Sequence, residues 1–201
     1  MDGIYRGGYY VPKIGHRGVP TFEIENTLKS FQKAITLRAN AIELDARESG
    51  DGQLVVIHND NRNIVFCKDI RVGDTTLEEL LISTGNKIPT LKRALNAIDG
   101  RVEKILVELK DNGYEKNVLE TIKKDTVQDR VILVSFHEEA LSAVRKLDNA
   151  IETGLIYAKF KNPINVAMKI GAQYLVPLYR LVHSRDIEDA HKHNPKGHCF
   201  G

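Results

Sequence analysis

The segment Ile14-Gly15-His16-Arg17-Gly18 holds a histidine and an arginine between two glycines, directly after a short apolar run. Glycine allows positive φ angles and a close approach of the backbone to a ligand. Arginine offers a planar set of donors that fits a phosphate or carboxylate in two-point contact, and histidine exchanges a proton near neutral pH. The segment therefore predicts a phosphate-handling loop with its own acid or base. Two solvated side chains on a tight turn are the alternative.

Two segments with the alternating pattern of strands carry carboxylates. In residues 41–47 (Ala-Ile-Glu-Leu-Asp-Ala-Arg), Glu43 and Asp45 lie on one face, and in residues 105–110 (Ile-Leu-Val-Glu-Leu-Lys) Glu108 lies on one face. Clustered carboxylates raise one another's pKa unless a cation compensates. A hard divalent cation such as Mg²⁺ or Ca²⁺ would compensate through oxygen ligands. Salt bridges without a metal, to Arg17, Lys110 or Arg47, are the alternative.

A turn signal at residues 49–52 (Ser-Gly-Asp-Gly) precedes another β-like run, residues 53–58 (Gln-Leu-Val-Val-Ile-His). A link this short cannot make a parallel crossover, so the pair predicts an antiparallel hairpin with residues 41–47. We expect this hairpin to set His58 opposite Glu43. An ordinary, partly buried histidine is the alternative for His58.

Short β-like runs alternate with helical patterns along the whole chain, without a linker or low-complexity segment. Strands are expected near residues 11–15, 41–47, 53–58, 105–110, 131–136, 153–157 and 173–177, and helices near 28–37, 90–98, 114–124, 138–147 and 184–193, with two more starting at Thr76 and Asn162. This order predicts a single α/β domain, residues 1–201, with a parallel sheet that is open or closed into a barrel. A barrel gathers functional residues at the C-terminal ends of its strands, where the histidine and carboxylate candidates fall, which favours the barrel.

Composition excludes several classes of protein. The net charge of the 201 residues is +2 and there is no basic block, so we expect no nucleic-acid partner. The N-terminus lacks the layout of a signal peptide, and no apolar run is long enough to span a bilayer. Cys67 and Cys199 are neither a disulfide framework nor a zinc site, and we expect free thiols in the cytoplasm.

Several short motifs occur in a characteristic order between residue 13 and about residue 182. They are His16-Arg17-Gly18, Glu25-Asn26-Thr27, Glu43-Leu44-Asp45, Asp51-Gly52, Val56-Ile57-His58, Ile88-Pro89-Thr90-Leu91, Glu108-Leu109-Lys110, Ser135-Phe136 and Pro177-Leu178-Tyr179. This series resembles the glycerophosphodiester phosphodiesterase family, within the wider group of phosphatidylinositol phospholipase C-like barrels. The resemblance implies a TIM-type (β/α)₈ barrel that uses a divalent metal, Mg²⁺ or Ca²⁺. It also implies hydrolysis of small glycerophosphodiesters to glycerol 3-phosphate and an alcohol.

The resemblance also implies roles for seven residues. The acid–base pair would be His16 and His58, the metal ligands Glu43, Asp45 and Glu108, and the phosphate-binding residues Arg17 and Lys110. These roles are chemically consistent, because the anionic diester needs its charge offset and the alkoxide leaving group needs a proton from an imidazolium. A neutral imidazole or a metal-bound water would supply the base. Which histidine is the acid, which metal binds, which alcohol is preferred and what the oligomeric state is all stay open.

The chain departs from the family pattern at three places. Ile24 replaces a proline before Glu-Asn-Thr, and Asn59 replaces an aspartate after the second histidine, so that it can orient the imidazole without adding a charge. The sequence stops at Gly201 without the tryptophan-bearing eighth strand and the last helix. We therefore expect a C-terminally incomplete barrel with unpaired edges on its first and seventh strands.

These departures leave two other functions open. Asn59 and the absent strand suggest a non-catalytic phosphate-binding or scaffold relative of the enzyme. A phospholipase or sphingomyelinase D-like lipid phosphodiesterase is the other possibility. It would want an apolar membrane-facing loop and a secretion signal, and neither is evident in the sequence.

Overall fold

The computed structural model describes residues 4–6, 9–60, 71–125, 127–158 and 162–177. The strands are β1 (Ile4–Arg6), β2 (Tyr9–Val11), β3 (Ile14–His16), β4 (Ala41–Glu48), β5 (Leu54–Val56), β6 (Lys104–Leu109), β7 (Val131–Ser135), β8 (Glu152–Tyr157) and β9 (Tyr174–Pro177). The helices are α1 (Leu28–Thr36), α2 (Leu77–Ser83), α3 (Leu91–Ile98), α4 (Glu115–Lys124), α5 (Glu138–Leu147) and α6 (Pro163–Ile170). The predicted helix at 184–193, the predicted loss of the last strand and helix, and both cysteines lie outside the described residues.

The sheet is parallel and follows chain order, β3-β4-β6-β7-β8-β9, with helices in the crossovers. Among the described strands of this sheet, β5 alone is antiparallel, and it pairs with β4. Separately, β1 and β2 form a two-stranded antiparallel hairpin. Sequential parallel strands with helical crossovers are the architecture of a TIM-type α/β barrel, so the predicted fold class is confirmed.

Two apolar cores lie on opposite faces of the sheet. The outer core joins the even-numbered residues of β4 to the helices, and its largest fully buried members include Phe31, Ile42, Leu44, Leu91, Leu95 and Ile105. The inner core fills the concave face and comprises Ala41, Leu106, Ile132, Val134, Ile156 and Tyr174. Strand residues that follow this inner core toward the C-terminal ends therefore point into the mouth of the curled sheet.

Side-chain caps fix several helix starts as the sequence predicts. Thr76 and Glu79 form a capping box at α2, and Asn162 caps α6 ahead of Pro163. The cap of α1 is Thr27, whose hydroxyl accepts from the Ser30 N–H at 3.2 Å. The preceding residue, Asn26, takes no part in this cap and makes contacts elsewhere. In the described residues no helix is both long and apolar enough to cross a membrane.

The hairpin of β4 and β5 is antiparallel as predicted, but its predicted register is wrong by one residue. Ala46 pairs with Val56, and the Ile57 N–H donates to the Asp45 carbonyl at 2.9 Å. The cause is the turn, in which Ser49 and Gln53 pair across three residues and Gly52 has a φ of +76°. Continued pairing would turn His58 away from Glu43; instead, the strand ends at Val56 and the chain bends at His58.

Candidate active site

The C-terminal ends of the strands surround a cavity of about 400 Å³. Its polar wall comes from β3, β4, β6 and the segment after β5 and consists of His16, Arg17, Glu43, His58, Glu108 and Lys110. Its apolar wall comes mainly from the later strands, with Val134, Phe136, Ile156, Val176 and Pro177, and is completed by Ile14 of β3 and Leu106 of β6. Asp45, which is fully buried, ion-pairs with two members of the polar wall. The structure thus brings all seven sequence-predicted site residues together.

The pairing of strands explains why the two histidines approach the same place. β6 pairs with one edge of β4 as far as Ala46. β3 pairs with the opposite edge only as far as Glu43, and β5 pairs with that same edge further along β4. The residue that ends β3 is His16, and His58 follows β5 by two residues. One edge of β4 therefore delivers both imidazoles to the cavity.

Glu43, Asp45 and Glu108 form a compact group of acids. Each offers a carboxylate oxygen that lies within 4.8 Å of the others, and all three residues are buried. Glu43 Oε1 has no hydrogen-bond donor among the described residues, and Asp45 Oδ1 makes only a 3.4 Å ion pair with Lys110 Nζ, without a hydrogen bond. Buried carboxylate oxygens without donors are costly, and oxygen atoms are the ligands that hard divalent cations take. The donor set therefore fits such a cation.

The three acids differ in protonation. Burial, with the charges of Asp45 and Glu108, raises the pKa of Glu43 well above its usual value. Burial and Asp45 raise the pKa of Glu108 to about 7. Burial would also raise the pKa of Asp45, but Lys110, a hydrogen bond from Asn26 and Arg17 outweigh it and lower that pKa. In the absence of a metal, Asp45 is thus the carboxylate that keeps its charge most firmly.

Two basic side chains partly offset the acids. Lys110 Nζ lies 2.7 Å from Glu108 Oε1 and 3.4 Å from Asp45 Oδ1. Arg17 Nε lies 3.2 Å from Asp45 Oδ2, and its Nη1 donates to Glu25 Oε2 at 3.1 Å. The salt bridges considered as the alternative to a metal therefore exist for Arg17 and Lys110. The pKa values of Glu43 and Glu108 are nevertheless raised, chiefly because both carboxylates are buried. The three carboxylates face only these two cations in the described part of the chain, and Arg17 also pairs with Glu25.

The loop after β3 is held in a strained backbone conformation. Arg17 has a φ of +52° and Gly18 a φ of +84°, and the Arg17 N–H donates to Glu43 Oε2 at 2.9 Å. A Cβ at Gly18 would lie 2.2 Å from Ser30 Oγ, because α1 packs directly against the loop. Positive φ in a residue other than glycine is found where the surrounding structure enforces it. The loop thus fixes the direction in which Arg17 leaves the backbone.

The imidazoles differ in their anchoring. His16 is exposed, with Nε2 3.8 Å from Glu43 Oε2. His58 is half-buried, and its Nδ1 lies 2.6 Å from Asn59 Oδ1. Loss of solvent around each ring lowers both pKa values, reinforced by Arg17 at His16 and by Lys110 and Arg17 at His58, against an opposing effect of Asp45. Both rings are accordingly biased toward the neutral form.

Asn26 is a site residue that the sequence did not single out. It is buried with a φ of +57°, its Nδ2 donates to Asp45 Oδ2 at 2.7 Å, and its Oδ1 accepts from the Asp45 N–H at 3.3 Å. Glu25, which holds Arg17, and Phe136, on the apolar wall, also went unselected. The Glu25-Asn26-Thr27 motif was visible, but the left-handed turn that aims Asn26 at Asp45 has no signature in residue spacing.

Comparisons with known proteins agree with this geometry. The model of the glycerophosphoryl diester phosphodiesterase family matches residues 16–201. A glycerophosphodiester phosphodiesterase of Caldanaerobacter subterraneus is 30% identical over 199 residues, covering 91% of this chain and 82% of the relative. Three other curated relatives, from Bacillus, are matched over about two thirds of their own length.

Solved structures give the same result. The glycerophosphodiester phosphodiesterase of Thermotoga maritima superposes with a TM-score of 0.77 at 30% identity, covering 92% of this chain and 80% of that one. An Oleispira antarctica phosphodiesterase, solved with the product sn-glycerol-3-phosphate, superposes with a TM-score of 0.83, covering 95% and 85% of the two chains; at 24% identity it shows the shared fold. The chain belongs to the glycerophosphoryl diester phosphodiesterase family and is an enzyme of that family, a phosphoric diester hydrolase.

Proposed function

We propose that the protein hydrolyses small glycerophosphodiesters to glycerol 3-phosphate and an alcohol, with a divalent metal and with His16 and His58 as the acid–base pair. The observation that carries this proposal is the pairing of a buried, incompletely neutralised carboxylate group with two imidazoles on one cavity wall. Neither feature alone would distinguish a phosphodiesterase from an ion-pair network. Together they supply charge compensation and proton transfer at one position.

In this proposal Glu43, Asp45 and Glu108 hold Mg²⁺ or Ca²⁺, and such an ion would offset the negative charge of the bound diester. Asp45 is oriented for this by Asn26, which takes its other oxygen. Glu43 is oriented by the Arg17 N–H, which leaves Oε1 bare. Asp45 and Glu43 thus each present one carboxylate oxygen to the cluster, while a hydrogen bond from Asn26 or from the Arg17 N–H holds the other oxygen.

Arg17 and Lys110 are proposed to bind the phosphate of the substrate. Both line the cavity, and both form ion pairs with carboxylates. A phosphate offers the same planar, two-point contact to a guanidinium as a carboxylate does. Binding of the diester would therefore exchange Glu25 or Asp45 for a phosphate oxygen at Arg17, and Glu108 for one at Lys110.

The two histidines are proposed to divide proton transfer between them. A base must start neutral, which the lowered pKa of each ring favours. The acid must start protonated, and the negative phosphate would raise the pKa of the imidazole nearest the leaving oxygen. At His58 the Asn59 oxygen accepts from Nδ1, so Nε2 is the nitrogen that faces the reaction.

The substrate class rests on the relatives and on size. The Caldanaerobacter and Thermotoga proteins are named glycerophosphodiester phosphodiesterases, and the Oleispira structure holds sn-glycerol-3-phosphate. A cavity of about 400 Å³ is in the range that accommodates a small organic ligand. We expect glycerophosphocholine or a diester of similar size to be turned over.

Incubation with glycerophosphocholine and Mg²⁺ or Ca²⁺, followed by an assay for glycerol 3-phosphate, tests the proposal. Glu120→Gln, which removes an exposed carboxylate on α4, serves as the matched control for Glu43→Gln. Absence of turnover from folded protein with every divalent metal would contradict the proposal. A thermal shift by glycerol phosphate without product would instead support a non-catalytic relative, and cleavage of lysophospholipids alone would support a lipid phosphodiesterase.

A further inference from the structure

Arg47 is a buried cation that the proposed chemistry leaves unused. It follows Glu43 and Asp45 on the same face of β4, and its side chain is only 10% exposed. Its Nε donates to the backbone carbonyl of His58 at 3.0 Å, and its Nη1 donates to Asp111 Oδ2. One guanidinium on the strand of the metal candidates thus contacts both Asp111, the second residue after β6, and the backbone of a proposed acid–base residue.

The anchoring of Asp111 makes this connection rigid. The Asp111 N–H donates to the Tyr114 hydroxyl at 3.1 Å, and that hydroxyl donates to the Ala46 carbonyl at 2.8 Å. Tyr114 is buried, and Ala46 precedes Arg47 in β4. The ion pair is therefore closed into a ring that begins and ends on β4, which holds the guanidinium in one orientation.

His58 needs such a support because the sheet no longer supplies one. The last ladder contact before it is the Ile57 N–H on the Asp45 carbonyl, and the chain bends at His58. Its ring is held on one side by Asn59, which belongs to the same departing segment. The Arg47 contact to the His58 carbonyl is the hydrogen bond that ties this backbone to the barrel strands.

We infer that Arg47, anchored by Asp111, is a positioning residue that fixes the backbone of His58 so that its imidazole faces the substrate. The inference rests on the proposed function of His58. Arg47 already forms an ion pair with Asp111, so its charge is largely neutralised within the protein. Displacement of a reacting group by about 1 Å is enough to slow a reaction roughly 10²-fold.

The kinetic test compares Arg47→Gln with Arg130→Gln, which removes an ion-paired arginine directly before β7, at the end of that strand opposite the cavity; the partner of Arg130 is Asp99. With glycerophosphocholine as substrate, Arg47→Gln should lower kcat by about 10- to 100-fold and change KM by less than about 3-fold. Arg47→Lys should lose an intermediate amount, because one ammonium cannot replace the two-point contact. Arg130→Gln should match the unaltered protein.

Coupling to His58 separates a positioning role from a general structural one. Arg47→Gln should slow a His58→Asn protein by less than about 3-fold, because the group that it positions is already gone. Losses that multiply, or a raised KM with kcat unchanged, would overturn the inference and make Arg47 a structural or substrate-binding residue. If Arg47→Gln does not fold, Asp111→Asn carries the same comparison, since its side chain is 56% exposed and tolerates replacement.

A measurement without turnover distinguishes a failure of the inference from a failure of the proposed function. In spectra of ¹⁵N-histidine-labelled, metal-free protein, the His58 signals are assigned by their loss in His58→Asn. Arg47→Gln should shift or broaden those signals, and Arg130→Gln should leave them in place. Unmoved His58 signals would refute the positioning role, whereas a lack of diester hydrolysis by the unaltered protein would refute only the proposed function.

Discussion

Asn59 Oδ1 accepts a hydrogen bond from His58 Nδ1 at 2.6 Å, so that a neutral amide orients the imidazole. Replacement by aspartate would keep the acceptor and add a negative charge, which stabilises the imidazolium and raises the pKa of His58. We expect Asn59→Asp to move one limb of the pH–kcat profile to higher pH. A shifted acidic limb would identify His58 as the base, and a shifted alkaline limb would identify it as the acid. Asn59→Leu, which lacks the acceptor, should lower kcat, and a profile unchanged in both variants would contradict the orienting role.

Loss of either histidine should impair catalysis more than binding. His16→Asn and His58→Asn should each lower kcat by roughly 10²- to 10⁴-fold with smaller changes in KM. The double variant should lose much less than the product of the two losses, because groups that act as a unit are not additive. A nitrophenyl diester needs little protonation of its leaving group, and it should restore the rate of whichever variant lacks the acid. Rescue of neither would contradict the proposed protonation of the alkoxide.

Glu43→Gln should weaken metal binding rather than proton transfer. The amide retains one oxygen but removes the charge, so its activity should recover in part at high Mg²⁺ or Ca²⁺ concentration. The histidine variants should show no such recovery. A titration of kcat against metal concentration checks this, with Glu120→Gln as control; equal metal dependence of Glu43→Gln and the control would exclude Glu43 as a ligand.

The metal-free protein should lose stability as the pH rises through neutrality, because of Glu108. Its pKa is about 7 in the folded protein and about 4.5 in the unfolded chain, so the folded state binds the extra proton between these values. This stabilisation is complete below about pH 4.5 and is lost as the pH rises through about 7, with a slope of at most ~1.4 kcal/mol per pH unit. His16 and His58, whose pKa values are lowered, act in the opposite direction below about pH 6.5.

Comparison of variants isolates the Glu108 contribution from that of the histidines. In a chelator, urea unfolding of Glu108→Gln between pH 5 and pH 8 should show a shallower downward slope than the unaltered protein and Glu120→Gln share, because only Glu43, whose pKa is also raised, still contributes to it. Added Mg²⁺ or Ca²⁺ should stabilise the unaltered protein more at pH 8 than at pH 5, because the ion binds the deprotonated acids. Identical pH profiles for Glu108→Gln and Glu120→Gln would contradict the raised pKa.

Gly18→Ala should destabilise the protein through the loop after β3. The new Cβ would meet both the left-handed backbone, at a φ of +84°, and Ser30, whose Oγ would lie 2.2 Å away. We expect a loss of about 2–3 kcal/mol in the free energy of unfolding. Gly52→Ala has a similar φ of +76° but nothing within 4 Å of its Cβ, and it should lose only about 1 kcal/mol. Equal losses in urea unfolding would show that the contact with Ser30 contributes nothing.

Much of the arrangement of acids in the candidate site is predictable from the spacing of residues in the sequence alone. Alternation in residues 41–47 and 105–110 set the acids on one face, and parallel strands bring their C-terminal ends to the same edge. The register of the hairpin is harder to predict, because it depends on the backbone of the turn: with Gly52 in the left-handed region, Ser49 and Gln53 pair across a three-residue loop, and every pair of the hairpin is shifted by one. His58 nevertheless lines the same cavity as Glu43, because the chain bends after Val56.

Contacts between distant residues could not be predicted. Arg47 and Asp111 are separated by 64 positions, and their ion pair depends on the lateral pairing of β4 with β6 and on the buried Tyr114 hydroxyl. The Asn26 contact with Asp45 depends on a left-handed conformation that asparagine adopts only in a suitable setting. The division of the chain into a single domain stays a prediction.

The charged and the apolar parts of the cavity lining come mostly from separate stretches of the chain. Among the described residues that line the cavity, every titratable group lies at or before Lys110, whereas the lining from Val134 onward is entirely apolar. A change at Ile156 or Val176 alters the shape of the cavity without replacing a group that carries charge or moves a proton. The C-terminal part of this fold can therefore diversify in sequence, and with it the alcohol portion that fits, while the reactive half stays constant.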